Sequence, residues 1–239
     1  TLSSSSAASD VYKRQHFDAQ VFWDQTLSPS PLHGVTTVIS GNCGFTIAPL
    51  EPEHGDYMMQ MLARVEGMPL TSLQEGVPWN WRTFEEYLQA IDGTLMPNAG
   101  FLVGHSALRR TVMGERSVGE FASAEELQKM KDLLAQSIDA GGLGFSSSWA
   151  KTHNDADGEA VPSRHASQDE LIELCSVLKD SDAVALEFIP TIERFDEEVY
   201  QLLTDMSVAA DKPLNWNVIF VNARQSEAIE EKLQASNFA

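Results

Sequence analysis

A chain of 239 residues with 43% apolar and 21% charged side chains has the composition of a globular protein, and its 35 acidic against 16 basic residues leave a formal net charge of −19. That balance argues against a nucleic-acid binder, which needs clustered Lys and Arg to neutralise phosphates, and no apolar run approaches the roughly 18 residues of a membrane-spanning helix. Two cysteines, Cys43 and Cys175, make no disulfide framework and point to a reducing, cytoplasmic setting.

Residues 1–15 are a Ser/Ala-rich tract without the apolar core of a signal peptide, and 5–15 look like the translated adapter of a sequencing library. We read 1–15 as non-native and 16–239 as part of one domain that is incomplete at both ends. Five short β-prone runs follow, at 35–39, 100–104, 143–145, 183–189 and 214–221. The segment 50–98 is a long insertion rich in Met, Pro and Trp, with a helix expected around 83–91. Ser123-Ala-Glu-Glu126 is a capping box before an apolar stripe through Leu127, Met130, Leu134 and Ile138, and Gly141-Gly142 ends that helix. Ser167-Gln-Asp-Glu170 repeats the signal, Asp196 opens a third helix that stops near Pro213, and 226–239 reads as a helix without a stop.

The order β-α-β-α-β-α-β requires parallel strands joined by right-handed crossovers, in a (β/α)8 barrel or a doubly wound sheet. Polar residues at the ends of successive strands favour the barrel. Gly141-Gly-Leu-Gly144 precedes a strand, so it is not the phosphate loop of a doubly wound sheet.

Several residues are candidates for chemistry. Gly41-Asn-Cys-Gly44 leaves a thiol uncovered between glycines, as a metal ligand or nucleophile, or else it is a turn with a buried free cysteine. His16 and Asp18, two apart on a strand, would face one site together, or form a surface pair. His105 ends the second run, either to polarise a carbonyl or move a proton, or as a structural histidine. Glu187 lies in Ala-Leu-Glu-Phe-Ile, where a carboxylate is costly unless paired, hydrogen-bonded or metal-bound. Ser146 to Ser148 end the third run, and the loop 149–158 after it offers His153, Asp155 and Asp157. That loop is a substrate loop or a solvated turn, and only a weak calcium loop, since no Glu stands at the last ligand position. His33, Asn215, Trp216 and Asn217 read as packing or supporting groups.

His16-Phe-Asp-Ala-Gln, Trp23-Asp24, Pro29-Ser30, His33-Gly-Val-Thr-Thr37, Gly41-Asn-Cys-Gly44 and Ala48-Pro49 stand in an order that resembles the N-acyl-D-amino-acid deacylase branch of the amidohydrolase superfamily. Glu75-Gly-Val-Pro78, Trp81, Phe84, Glu86-Tyr87-Leu88, Val103-Gly-His105, Leu108-Arg109, Val112-Met113-Gly114 and Gly144-Phe-Ser146 continue the resemblance. It implies an α/β fold, a partial TIM-like (β/α)8 barrel, with a small β-sandwich that this chain lacks. It also implies amide hydrolysis by a metal-activated water that removes an acyl group from an amino acid. Cys43 becomes an expected zinc ligand and His16 the second histidine of a His-x-His pair, whose first position holds Arg14. Histidines expected on the fifth and sixth strands are replaced by Ala185-Leu-Glu-Phe188 and Pro213-Leu-Asn-Trp-Asn-Val218, and the last-strand aspartate would lie beyond Ala239.

The expectation is therefore a parent protein that hydrolyses a small N-acyl amino acid or related linear amide, with the chain as it stands inactive. Zinc would be held by His16, Cys43 and Glu187, lowering the pKa of its water to about 7. His105 would stabilise the oxyanion, and Ser146, His153 and Asn217 would bind substrate. The alternatives are a cyclic-amide hydrolase of the same superfamily and a barrel that binds a small polar ligand without hydrolysing it. No nucleic-acid or membrane partner is expected.

Overall fold

The computed structural model describes residues 16–182, 184–217 and 226–235. The tract 1–15 with Arg14, the 218–221 half of the last expected strand run and residues 236–239 of the last expected helix lie outside them.

Six strands pair in parallel: β1 (Thr37–Ser40) with β2 (Asn98–Phe101), and β3 (Val103–Gly104), β4 (Gly144–Ser148), β5 (Ala185–Ile189) and β6 (Leu214–Trp216) side by side in that order. β2 and β3 are consecutive stretches of one extended segment. At its middle Leu102 N–H donates to the Ser40 carbonyl (2.9 Å), and Leu143 N–H donates to the Phe101 carbonyl (2.8 Å). The five expected runs thus appear in the expected order and sense, and the fold is α/β with parallel sheets.

Nine α-helices are described: α1 (Phe17–Gln20), α2 (Gly55–Val65), α3 (Leu70–Gly76), α4 (Phe84–Ile91), α5 (His105–Met113), α6 (Ala124–Asp139), α7 (Gln168–Ser176), α8 (Glu197–Ala210) and α9 (Ser226–Ala235). Thr83 and Ser123 open α4 and α6 with complete capping boxes to Glu86 and Glu126, which satisfy orphan amides at each helix start. Ser167 and Asp196 cap α7 and α8 through the amides of Glu170 and Val199. Residues 16–18 are not a strand: His16 is the N-cap residue of α1 and Asp18 lies within that short helix, so the period-2 argument for their sharing a face does not apply.

Strand pairing fixes two faces. Gly104, Ser146, Glu187 and Asn215 are register neighbours on one face; Val103, Phe145, Leu186 and Leu214 are neighbours on the other, together with Ser147, Phe188 and Trp216 two residues on. The second face carries the fully buried Phe145, Leu186 and Phe188 and meets the helical layer, where the His105 ring of α5 lies 5.4 Å from the Phe145 ring. Each such buried side chain contributes about 1.5–3 kcal/mol. The first face is polar and belongs to the site.

Candidate active site on the polar face of the sheet

The turn after β1 is the centre of this face. Gly41 and Cys43 both take left-handed backbone angles, with φ of 86° and 62°. At Gly41 the chain passes so close to β2 that a Cβ would stand 2.6 Å from the Leu102 carbonyl oxygen, so only glycine fits. Cys43 accepts the left-handed conformation in spite of its side chain, a cost met by what holds its neighbours. Ser146 Oγ donates to the Gly41 carbonyl and accepts the Gly44 N–H at 3.1 Å. One Glu187 oxygen accepts the Cys43 N–H at 2.8 Å, and the other accepts the Asn217 side-chain amide. Thr46 closes the base, accepting the Gly104 N–H at 3.1 Å.

His153 joins from the loop after β4. Ser148 Oγ accepts the Ala150 N–H at 3.2 Å and lies 2.8 Å from His153 Nδ1. The hydroxyl has a second lone pair, so it can meet Nδ1 as donor or as acceptor, according to the ring's tautomer. Burial, and then the Arg164 charge, hold the His153 pKa down to about 4, so the ring is neutral at pH 7. The ring meets Phe45 edge-to-face with centroids 4.9 Å apart, and the His16 ring lies 6.1 Å from the same Phe45 ring. His16 is also held down to about 4, by burial and then by His153, against a raising effect of the Phe45 backbone.

On its outer side His16 Nε2 lies 3.0 Å from Glu66 Oε2. Burial and the nearby Asp18 push the Glu66 carboxyl up to about 7. Asp18 itself is pushed up to about 7 by burial, although it accepts the Ser40 hydroxyl at 2.8 Å.

The structure thus brings Cys43, Glu187, Ser146 and Asn217 together by hydrogen bonds around one turn and sets the His153 and His16 rings near Phe45. His105 does not join them. Its ring is fully buried on the helical side, with Nδ1 2.8 Å from Ser147 Oγ and Nε2 2.8 Å from Glu170 Oε1. Arg109 donates to both Glu170 oxygens at 2.6 Å and to the Glu120 carbonyl at 2.7 Å. Burial alone would raise the Glu170 carboxyl, but the hydrogen bond and charge of His105, with the Arg109 guanidinium, hold it below the ordinary carboxylate value. This is a closed structural network rather than a group facing substrate.

The donor set expected for zinc does not assemble as a cage. Both Glu187 oxygens accept hydrogen bonds, His16 Nε2 faces Glu66, and among the described residues no group of three or more His, Cys, Asp or Glu could hold a metal ion. Sequence reasoning missed Glu66, Phe45, Arg109 and Glu170. Glu170 had a visible signal, but it was that of a helix start.

No family model matches the chain. An uncharacterised protein of Mycobacterium tuberculosis is 37% identical over 177 residues, 69% of this chain and 28% of that protein. A D-aminoacylase of Alcaligenes xylosoxydans xylosoxydans is 31% identical over 164 residues, 68% of this chain and 29% of that enzyme. A solved D-aminoacylase structure, concerned with the enzyme's binuclear metal centre, aligns with a TM-score of 0.63 at 26% identity over 92% of this chain and 43% of that one. The chain therefore spans less than a third of the length of the curated relatives it matches.

Proposed function

We propose, for a chain that belongs to the N-acyl-D-amino-acid deacylase family of the amidohydrolase superfamily, that the whole protein hydrolyses the linear amide of N-acyl amino acids, releasing a carboxylic acid and the free amino acid. The observation that carries this reading is the cluster around Cys43, built on the polar face of parallel strands whose order matches a D-aminoacylase fold. On this reading residues 16–239 are part of a TIM-like (β/α)8 barrel, and the polar face is the barrel's inner wall.

The hydrogen bonds support the following roles. His153, neutral at pH 7 and in the tautomer whose Nδ1 accepts the Ser148 hydroxyl, donates Nε2–H to the amide carbonyl oxygen as negative charge develops there. Ser148 holds the ring's direction through Nδ1. Ser146 and Asn217 serve substrate binding by holding the Cys43 turn, Ser146 directly and Asn217 through Glu187. Zinc is the metal that the deacylase resemblance calls for, but His16, Cys43 and Glu187 do not fit a metal cage by themselves.

His153→Gln in the whole protein tests this reading. The expected result is a fall in kcat/KM for N-acyl amino acids of at least about 100-fold with the fold retained. An unchanged kcat/KM would remove His153 from the chemistry.

A further inference from the structure

Glu187 stands where the deacylase resemblance calls for a histidine ligand, and its surroundings give it another task. The residue is 1% exposed, between the fully buried Leu186 and Phe188. A carboxylate there needs charge-assisted partners. It has them in two different chain segments: the Cys43 N–H of the turn after β1 and the Asn217 amide after β6. Its register neighbour Ser146 takes the next amide of the same turn, Gly44 N–H. Two consecutive amides of a left-handed turn are thus held by two side chains on the same face of adjacent strands, an arrangement in which backbone N–H groups form an anion-holding concavity.

We propose that Glu187 is a positioning residue and not a metal ligand: with Ser146 it ties the Gly41–Gly44 turn to β4, β5 and the end of β6 and so fixes the Cys43 thiol. The tie replaces, with hydrogen bonds, the cross-strand link that a metal bound to β5 would make. It goes beyond the hydrolytic reading and is independent of it, because its readouts are backbone exchange, thiol reactivity and zinc content.

The experiment compares the full chain with Glu187→Gln and Glu187→Ala by amide hydrogen exchange, by alkylation of Cys43 against the fully buried Cys175, and by zinc per chain after equilibration with ZnCl2. Glu187→Ala is expected to speed exchange at Cys43 and Gly44 by at least about tenfold and to raise Cys43 alkylation, with Cys175 unaffected. Glu187→Gln keeps an oxygen for the Cys43 N–H, so exchange and alkylation are expected within about threefold of wild type, and zinc per chain is expected to be unchanged. Zinc bound by the wild type and lost in Glu187→Gln would overturn the proposal. So would a Cys43 amide in the wild type that exchanges as fast as an open loop, a result that does not depend on whether Glu187→Ala folds.

Discussion

His153 carries a pH signature that can be separated from its neighbours. An unfolded chain protonates this ring near pH 6.5 and the folded one near 4. Between those values the unfolded state binds the extra proton, so the ring's contribution to stability is present above about 6.5 and lost as pH falls, on the order of 3 kcal/mol in full. His16, also held down to about 4, adds to this loss, while Asp18 and Glu66, raised to about 7, act with the opposite sign over much of the same window. His153→Gln removes one histidine from the balance: the change in urea-denaturation stability from pH 7 to pH 4.5 is expected to be more favourable in the variant than in the wild type, by about 2 kcal/mol. Equal changes in both would contradict the buried, neutral ring.

At this scale the sequence exposed the polar residues that sit among apolar ones. Glu187 in its strand, Ser146 at a strand end and Cys43 between glycines all lie at the turn, because a polar group in such a place must find a partner. His105 was misleading for a geometric reason. It stands two residues after Val103, whose register partner Phe145 faces the helices, so the strand's alternation carries its ring to the same side, to Ser147 on the face opposite Ser146.

Elements show the same limit differently. The Thr83, Ser123 and Asp196 starts are local signals, legible because cap and helix lie within four residues of each other. Ser167 was legible as a cap, but Glu170, read as the returning half of a capping box, turns inward to His105 and Arg109 instead; tertiary partners outcompeted the local one. Helix α2 gave no start signal, since it continues from the turn Pro52–His54 with His54 as a cap that makes no side-chain bond.

That helix nonetheless supports the site. Tyr57 donates to Asp155 Oδ2 at 3.1 Å, while Asp155 Oδ1 accepts the amides of Asp157 and Glu159, both at 3.0 Å. The carboxylate therefore sets the loop that bears His153 and ties it to α2. Asp155→Ala removes all three bonds, and trypsin is expected to cut after the exposed Lys151 several-fold faster. An unchanged cleavage rate would mean that the loop is held by other contacts.

For the molecule as a whole, the parallel order of the strands was readable because alternating strand and helix patterns admit few topologies. The pairing register was not: a one-residue slip exchanges the polar and apolar faces, and only the hydrogen bonds of Ser146, Ser147 and Glu187 reveal which face each takes. The site was legible as a set of strand-end residues and not as a geometry, since the Glu187–Cys43 contact joins residues 144 apart in sequence.

The reaction class can be decided by incubating the whole protein with N-acetyl-D- and N-acetyl-L-amino acids, with hydantoins alongside, and measuring free amino acid and acetate. A linear-amide deacylase is expected to release one acetate for each amino acid from at least one N-acetyl amino acid and to open no hydantoin ring. Ring opening without release from any N-acyl amino acid, or no hydrolysis of either class, would contradict that reading.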